Sequence, residues 1–461
     1  MSGLGAGIRL ALYGRKVCIL ERHSLWGGLN SFYRLGGHRF DVGLHAMTNF
    51  VPRGTRNAPL TKLLRQLRID YDAFELRPQK RSTIAFPGLS LHFTNEFGLF
   101  EQEVCQAFPG QADGFRRLVE HIRQYDALDL EVPEFSARET IARFLDDPLL
   151  VDMLLCPLFF YGSAVENDMD FGQFVIMFKS LFFEGFARPW AGVRRILDVL
   201  VEKFKALGGE LRMRCGVAAL EVEAGKVRGL RLDDGSAIEA SVILSSAGAP
   251  ETARLLPGGA GFEEEPAAGS LSFVEAIEVL DRPMSALGHD ETIVFYSSGE
   301  RFRYQRPALP VDVTSGVICC PDNFQFDRPL ETPMIRVTNL ADHAAWANLP
   351  EDAYRAAKEH WHKTVLEQAV RLVPDFREHV RFTDMFTPST VTRFTGHLNG
   401  AVYGSPRKLK NGRTRLPNLF LMGTDQGMLG IVGALLSGIS MANMHVLQEQ
   451  GSGVGGQVSG A

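Results

Sequence analysis

MSGLGAGIRLALYGRKVCILE, residues 1–21, is the stretch on which the fold turns. Leu4, Ile8 and Leu12 recur every four residues among small neighbours, the spacing of a packed helical face. Gly14-Arg15 interrupts the pattern. KVCILE, residues 16–21, follows as an apolar run of strand length that ends in an acid, and it predicts a buried strand. Helix, turn, apolar strand, acid is the order of the second half of a dinucleotide-binding βαβ unit. In that unit the pyrophosphate rests on unpaired N–H groups at the helix N-terminus, and the acid takes a ribose hydroxyl. Glu21 stands where that acid belongs. In the G-x-G-x-x-G fingerprint Gly3 takes the third glycine position. The other two glycines and the strand before them would precede residue 1. The expectation is therefore that the reading frame continues upstream of Met1. The alternatives are that another part of the chain, or a partner, fills the gap.

Beyond Glu21 come Arg22-His23, Trp26-Gly27-Gly28-Leu29-Asn30-Ser31, Gly37, and Phe40-Asp41-Val42-Gly43-Leu44-His45. Paired glycines let a backbone approach a diphosphate, because no Cβ intervenes. This pattern resembles the amino end of the phytoene desaturase, carotenoid isomerase and retinol saturase-like branch of the FAD-dependent amine-oxidase superfamily. The resemblance implies FAD as cofactor, with contacts at Gly3, Glu21, Arg22, Gly27, Gly28, Leu29, Asn30 and His45. His45 is also the best polar candidate for a catalytic role, against the alternative of a structural hydrogen bond.

The carboxyl end resembles the matching half. PNLFLM, residues 417–422, reads as a strand. Gly423-Thr424-Asp425-Gln426-Gly427 and then Gly430-Ile431-Val432-Gly433-Ala434 lead into a helix with Ala434, Gly438 and Ala442 on one face. By resemblance, Gly423 and Asp425 face the ribityl or pyrophosphate part, and the backbone at Gly430, Ile431 and Val432 lies under the flavin ring. An N-cap is the plainer reading of Asp425. Between the two ends, residues 211–232 read as a β-meander with Asp234-Gly235 as a hairpin turn, and residues 240–247 as a buried strand. The family places the residue at Val217 near the adenine. The turn Arg188-Pro189-Trp190-Ala191-Gly192-Val193 resembles a family P-x-G-G turn, with Ala191 in place of the first glycine.

The implied fold class is α/β: a discontinuous Rossmann-like FAD-binding domain (residues 1–59, 189–257 and 386–449) interleaved with an α+β substrate domain (residues 60–188 and 258–385). Residues 60–188 read as mostly helical. Residues 258–385 read as strands followed by a helix near residues 354–372. Phe159, Phe160, Phe171, Phe174, Phe178, Phe182, Phe183 and Phe186 suit plain core, a tunnel for a long apolar molecule, or, at Leu181-Phe182-Phe183, a membrane surface. Asp168 and Asp170 interrupt that stretch as solvated or capping residues. The function implied is a desaturase- or saturase-type oxidoreductase that moves hydride between flavin and an apolar polyene or isoprenoid. The alternatives are a carotenoid cis–trans isomerase using reduced FAD, an amine oxidase, and a flavin-free scaffold or regulatory protein.

Charge sets further bounds. Forty-nine basic against 54 acidic residues leave a net of −5, which gives no cationic excess for nucleic acid. Six scattered cysteines show no metal-ligand or disulfide spacing, and adjacent Cys319 and Cys320 read as small buried hydrophobes. A reducing, cytoplasmic setting fits, and lipid-soluble substrates leave room for peripheral membrane contact. No secretory signal and no charge-free stretch of membrane-spanning length are expected. The longest candidate, residues 149–161, contains Asp152 and Pro157. The Gly/Ser/Val-rich tail at residues 450–461 reads as disordered.

Overall fold

The computed structural model describes residues 1–43, 45–127, 129, 132–299 and 301–448; Leu44 and the tail lie outside them. The opening helix is Ser2–Ala11. Its Leu4 and Ile8 are buried with Phe204, Leu435 and Ile439. It packs on the carboxyl-terminal helix Gly430–Ala442 at backbone distance. A Cβ on Gly5 would lie 2.6 Å from the Leu435 carbonyl oxygen, and one on Gly438 would lie 2.0 Å from that of Ser2. Small residues on both helices are thus a steric requirement.

Strand Cys18–Glu21 pairs in parallel with Glu210–Met213, and Ile243–Ser245 pairs in parallel with Leu419–Leu421. Among the described residues these remain two separate pairs. The opening helix spans both: a Cβ on Gly3 would lie 3.9 Å from Ile19 and 4.0 Å from Met422. The KVCILE strand is consequently not buried as its composition predicts. Cys18 is exposed and the next three residues are half-buried, because the strand is hydrogen-bonded along one edge.

The second layer is a seven-stranded sheet. Its order is Val380–Phe386, Ser272–Leu280, Met334–Ala341, Val311–Cys319, Ile293–Ser297, Ser82–Phe86 and Leu89–Phe93. Ile293–Ser297 runs parallel to Ser82–Phe86, and the other neighbours are antiparallel. Both faces are covered, so every residue of Ser272–Leu280 is buried. Phe295 and Val317 meet the phenylalanine-rich helices Pro148–Gly162 and Phe171–Phe178, whereas Val294 and Ile318 meet Trp346 and Val365. Residues 60–188 are less helical than expected. Leu76–Pro78, Ser82–Phe86 and Leu89–Phe93 are strands, the last two joined through Pro87-Gly88 with Gly88 at φ 76.

Of the eight phenylalanines singled out, seven are buried and Phe183 is half-buried. Phe100 and Phe182 stack at 4.3 Å. Leu181 and Phe182 lie inside the core, and of the triplet 181–183 only Phe183 is partly exposed. The expectation about spanning length also fails. Residues 426–448 carry no Asp, Glu, Lys or Arg, and Gly430–Leu447 is long and apolar enough to cross a membrane. Half of that segment is buried here against the opening helix and its surroundings, which accounts for its composition.

Candidate functional site

Glu21 ends its strand with Oε1 accepting from the His23 amide at 2.9 Å. The Cys215 amide donates to the Glu21 carbonyl at 2.8 Å and that of Arg214 to His23 at 3.1 Å, so residues 214–217 run beside the acid and bring half-buried Val217 there. Arg22 turns away to Asp233 at 3.4 Å with its side chain 70% exposed, a surface pair of small energetic weight. The opening helix has no side-chain cap, so no side chain takes its first N–H groups.

Gly27 has φ 115, and a Cβ there would meet Asn30 O at 2.7 Å and Ser31 Cα at 2.9 Å. Gly28 has φ 58 with nothing within 4 Å of where a Cβ would lie, so its backbone is open on that side. Leu29 and Asn30 complete the turn Gly28–Asn30. The Val42 amide then donates to the Ser31 carbonyl at 2.8 Å, and a Cβ on Gly43 would lie 2.4 Å from Leu29 O. The two glycine loops are thereby fastened together. Buried Asp41 anchors them, accepting from Arg188 and from the Val193 amide at 3.2 Å. Arg188 also donates to His45 O at 3.3 Å.

His45 enters a buried network that the sequence did not disclose. Its Nε2 lies 2.7 Å from Glu275 Oε1 and 3.1 Å from Thr338 Oγ1. Glu275 accepts from Arg336 Nε at 2.9 Å and Nη2 at 2.7 Å, with Arg336 only 1% exposed. Burial opposes the Glu275 charge, but the adjacent Arg336 and the His45 contact outweigh it and hold the carboxyl at about 2. Burial is also the main influence on His45 and lowers its pKa. An ionised Glu275 only accepts, so His45 Nε2 is the donor. The signal for Glu275 was an acid inside an apolar strand pattern. Glu278 repeats it and pairs with His362 at 2.6 Å.

At the carboxyl end Asp425 is 2% exposed and does not cap the helix; Leu429 occupies that position without a side-chain bond. Asp425 instead ties three segments together. Its oxygens accept from the Ala249 amide at 2.6 Å and the Ser405 amide at 2.8 Å, with Lys408 Nζ at 3.5 Å. Gly423, at φ 83, donates to Ser437 Oγ at 2.6 Å. Gly430, at φ 68, brings the uncapped helix start to Thr48, 3.8 Å from where its Cβ would lie. Ile431 and Val432 bury their side chains beside Met47 and Phe50.

Two uncapped helix starts, an acid at a strand end, an open glycine backbone and a buried carboxylate fit the parts of FAD: diphosphate, ribose and an electron-rich ring. Residues 1–444 match the family described as flavin containing amine oxidoreductase. The chain belongs to that family. It is a FAD-dependent oxidoreductase. Among relatives, this oxidoreductase is 22% identical to a chloroplastic prolycopene isomerase of Arabidopsis thaliana, over 90% of the chain and 75% of the isomerase. It is 28% identical to a neurosporene-forming phytoene desaturase of Rhodobacter capsulatus, over 56% of the chain and 52% of the desaturase. In fold it is similar to an oxidoreductase from Methanosarcina mazei, with TM-score 0.67, 16% identity, and 95% and 97% of the two chains covered. The relatives thus come from the polyene branch that the glycine pattern resembles.

Proposed function

We propose that this oxidoreductase moves hydride between flavin and a carbon of a polyene or other isoprenoid. One observation carries the reading: among the described residues, the five acids that are less than a tenth exposed are already partnered. Asp41 pairs with Arg188, Asp152 with Arg138, Glu275 with Arg336, Glu278 with His362, and Asp425 with Lys408 and two amides. A cationic amine reaching any of these five would meet a carboxylate already compensated, and burying it unpaired is costly. A hydrocarbon needs no counter-ion. Ala46, next to His45, packs in the large phenylalanine-rich cluster, with Val402 and Tyr403 against it.

Bound FAD supplies the hydride acceptor or donor. Gly27, Gly28, Glu21 and Asp425 would hold it. The apolar cluster excludes water, and Glu275 with Arg336 holds His45 through Nε2 as a neutral ring. The test is mass analysis of polyene products after incubation with the FAD-loaded chain. Loss or gain of a hydrogen pair supports the reading. Unchanged mass with altered geometry would make the chain an isomerase, which its similarity to the prolycopene isomerase over 90% of its length favours as the second reading. Peroxide formed from amines, with polyenes untouched, would overturn both.

A further inference from the structure

The turn Lys179–Glu184 is π-helical, a wider coil than the helix Phe171–Phe178 that it continues. Residues 48–50 are fastened to it: the Asn49 amide donates to Ser180 O at 3.1 Å and the Phe50 amide to Gly185 O at 3.2 Å. Across this contact runs a chain of side chains. Asn49 Nδ2 donates to Glu184 Oε2 at 2.8 Å, and Thr48 Oγ1 donates to Asn49 Oδ1 at 3.0 Å. Thr48 is 7% exposed, and its Oγ1 lies 3.8 Å from where a Cβ on Gly430 would stand. One end of the chain is therefore a carboxyl group. The other is a hydroxyl beside the uncapped helix start that suits the electron-rich flavin ring.

The state of the carboxyl sets the direction of the chain. An ionised Glu184 only accepts, so it takes an N–H of Asn49 and leaves the Asn49 oxygen facing Thr48. The Thr48 proton is then committed to Asn49, and its oxygen offers a further neighbour only lone pairs. A protonated Glu184 donates instead. Asn49 can turn its oxygen to that proton, and its amide NH2 then faces Thr48. The Thr48 proton is thereby released towards Gly430. One proton gained at Glu184 reverses the hydroxyl while the backbone stays in place. Burial raises Glu184 to about 7, against the opposing influence of Asn49 and Lys179. Lys179 belongs to the same turn, donates to Tyr125 O at 3.2 Å, and feels Asp126 and Arg123. On the side of residues 45–50, burial lowers His45, so its titration lies apart from that of Glu184.

We propose that Glu184 sets, through Asn49, whether Thr48 donates a hydrogen bond to the flavin or accepts one from it, which makes Glu184 a proton-sensing positioning residue for the cofactor. The proposal rests on the flavin ring lying at Gly430 and is independent of the substrate. The test follows the visible spectrum of the FAD-loaded chain between pH 6 and 8, with free FAD as the control. A one-proton shift of the flavin bands centred near pH 7 is expected. Glu184→Gln cannot ionise and removes the pH dependence. Asn49→Gly tolerates the φ of 63 at this position but cuts the chain, so it removes the shift while Glu184 still titrates. Thr48→Val moves the bands and abolishes their pH dependence. A spectrum that does not change with pH in the unaltered chain overturns the proposal, as does a shift that persists in Glu184→Gln or in Asn49→Gly. Bands left in place by Thr48→Val would show that the flavin does not lie at Thr48, and the ring placement then falls together with the proposal. Glu184→Gln and Asn49→Gly break the chain at different points, so either decides the matter if the other does not fold.

Discussion

Replacing Arg336 with methionine removes a buried cation and leaves Glu275 in place. The carboxylate then keeps His45 and Thr338 as partners but loses both guanidinium bonds, at 2.9 Å and 2.7 Å. Two routes give the magnitude. Removing one member of a buried ion pair costs about 3–5 kcal/mol. Independently, a carboxyl held at about 2 against an ordinary 4.5 corresponds to about 3 kcal/mol of stability at neutral pH. The sign follows from that depression. The native contribution of Glu275 is complete above pH 4.5 and is lost as pH falls through about 2. In Arg336→Met the carboxyl is released upward by burial, so the variant is penalised most at high pH and recovers as Glu275 takes a proton. Guanidinium chloride unfolding of both proteins at pH 8, 6 and 4 reads this out. The expected deficit is about 3–5 kcal/mol at pH 8 and shrinks towards pH 4. Adding Glu275→Leu to the variant should restore part of the loss even at pH 8, since the unpaired charge is then gone. A deficit below about 1 kcal/mol, or one equal at all three pH values, refutes the buried-pair reasoning.

Other consequences are testable in the same way. Burial pushes Glu184 up to about 7 although Asn49 donates to it at 2.8 Å, so the native state holds a proton that the unfolded chain has released above 4.5. Stability therefore falls as pH rises from 4.5 to 7; Glu184→Gln should remove that fall and gain about 3 kcal/mol at pH 8, read by denaturant midpoints. Gly27→Ala, strained and in contact with Asn30 O, should weaken FAD binding at least about tenfold by fluorescence titration, whereas Gly28→Ala, with open space around it, should cost markedly less. Asp425→Asn turns an amide group towards the Ala249 or Ser405 N–H, which should lower unfolding stability by about 1–3 kcal/mol and weaken FAD binding in parallel.

What the sequence disclosed is what lies close together along it. Gly27, Gly28 and Glu21 share one short stretch, and both glycines take positive φ, with a Cβ at Gly27 excluded by Asn30 O. Small residues at Gly5 and Gly438 likewise announce a close helix contact. The network around His45 was hidden because sheet register creates it. Glu275 stands opposite Thr338, and Arg336 stands opposite Ile277, so acid and base meet diagonally on one face across 61 positions of sequence. Nothing in either strand alone specifies that pairing. KVCILE misled for the converse reason: an apolar run reports affinity for a sheet, and burial depends on how many neighbours the strand then has. Phenylalanine density between residues 154 and 186 could not separate core from tunnel, since both demand the same side chains.

The most direct test is the visible absorption spectrum of the purified 461-residue chain, before and after denaturation to release bound flavin. The account predicts a flavin spectrum at close to one FAD per chain, present on purification or restored by added FAD, and diminished by Gly27→Ala. A colourless chain that takes up no added FAD would contradict it.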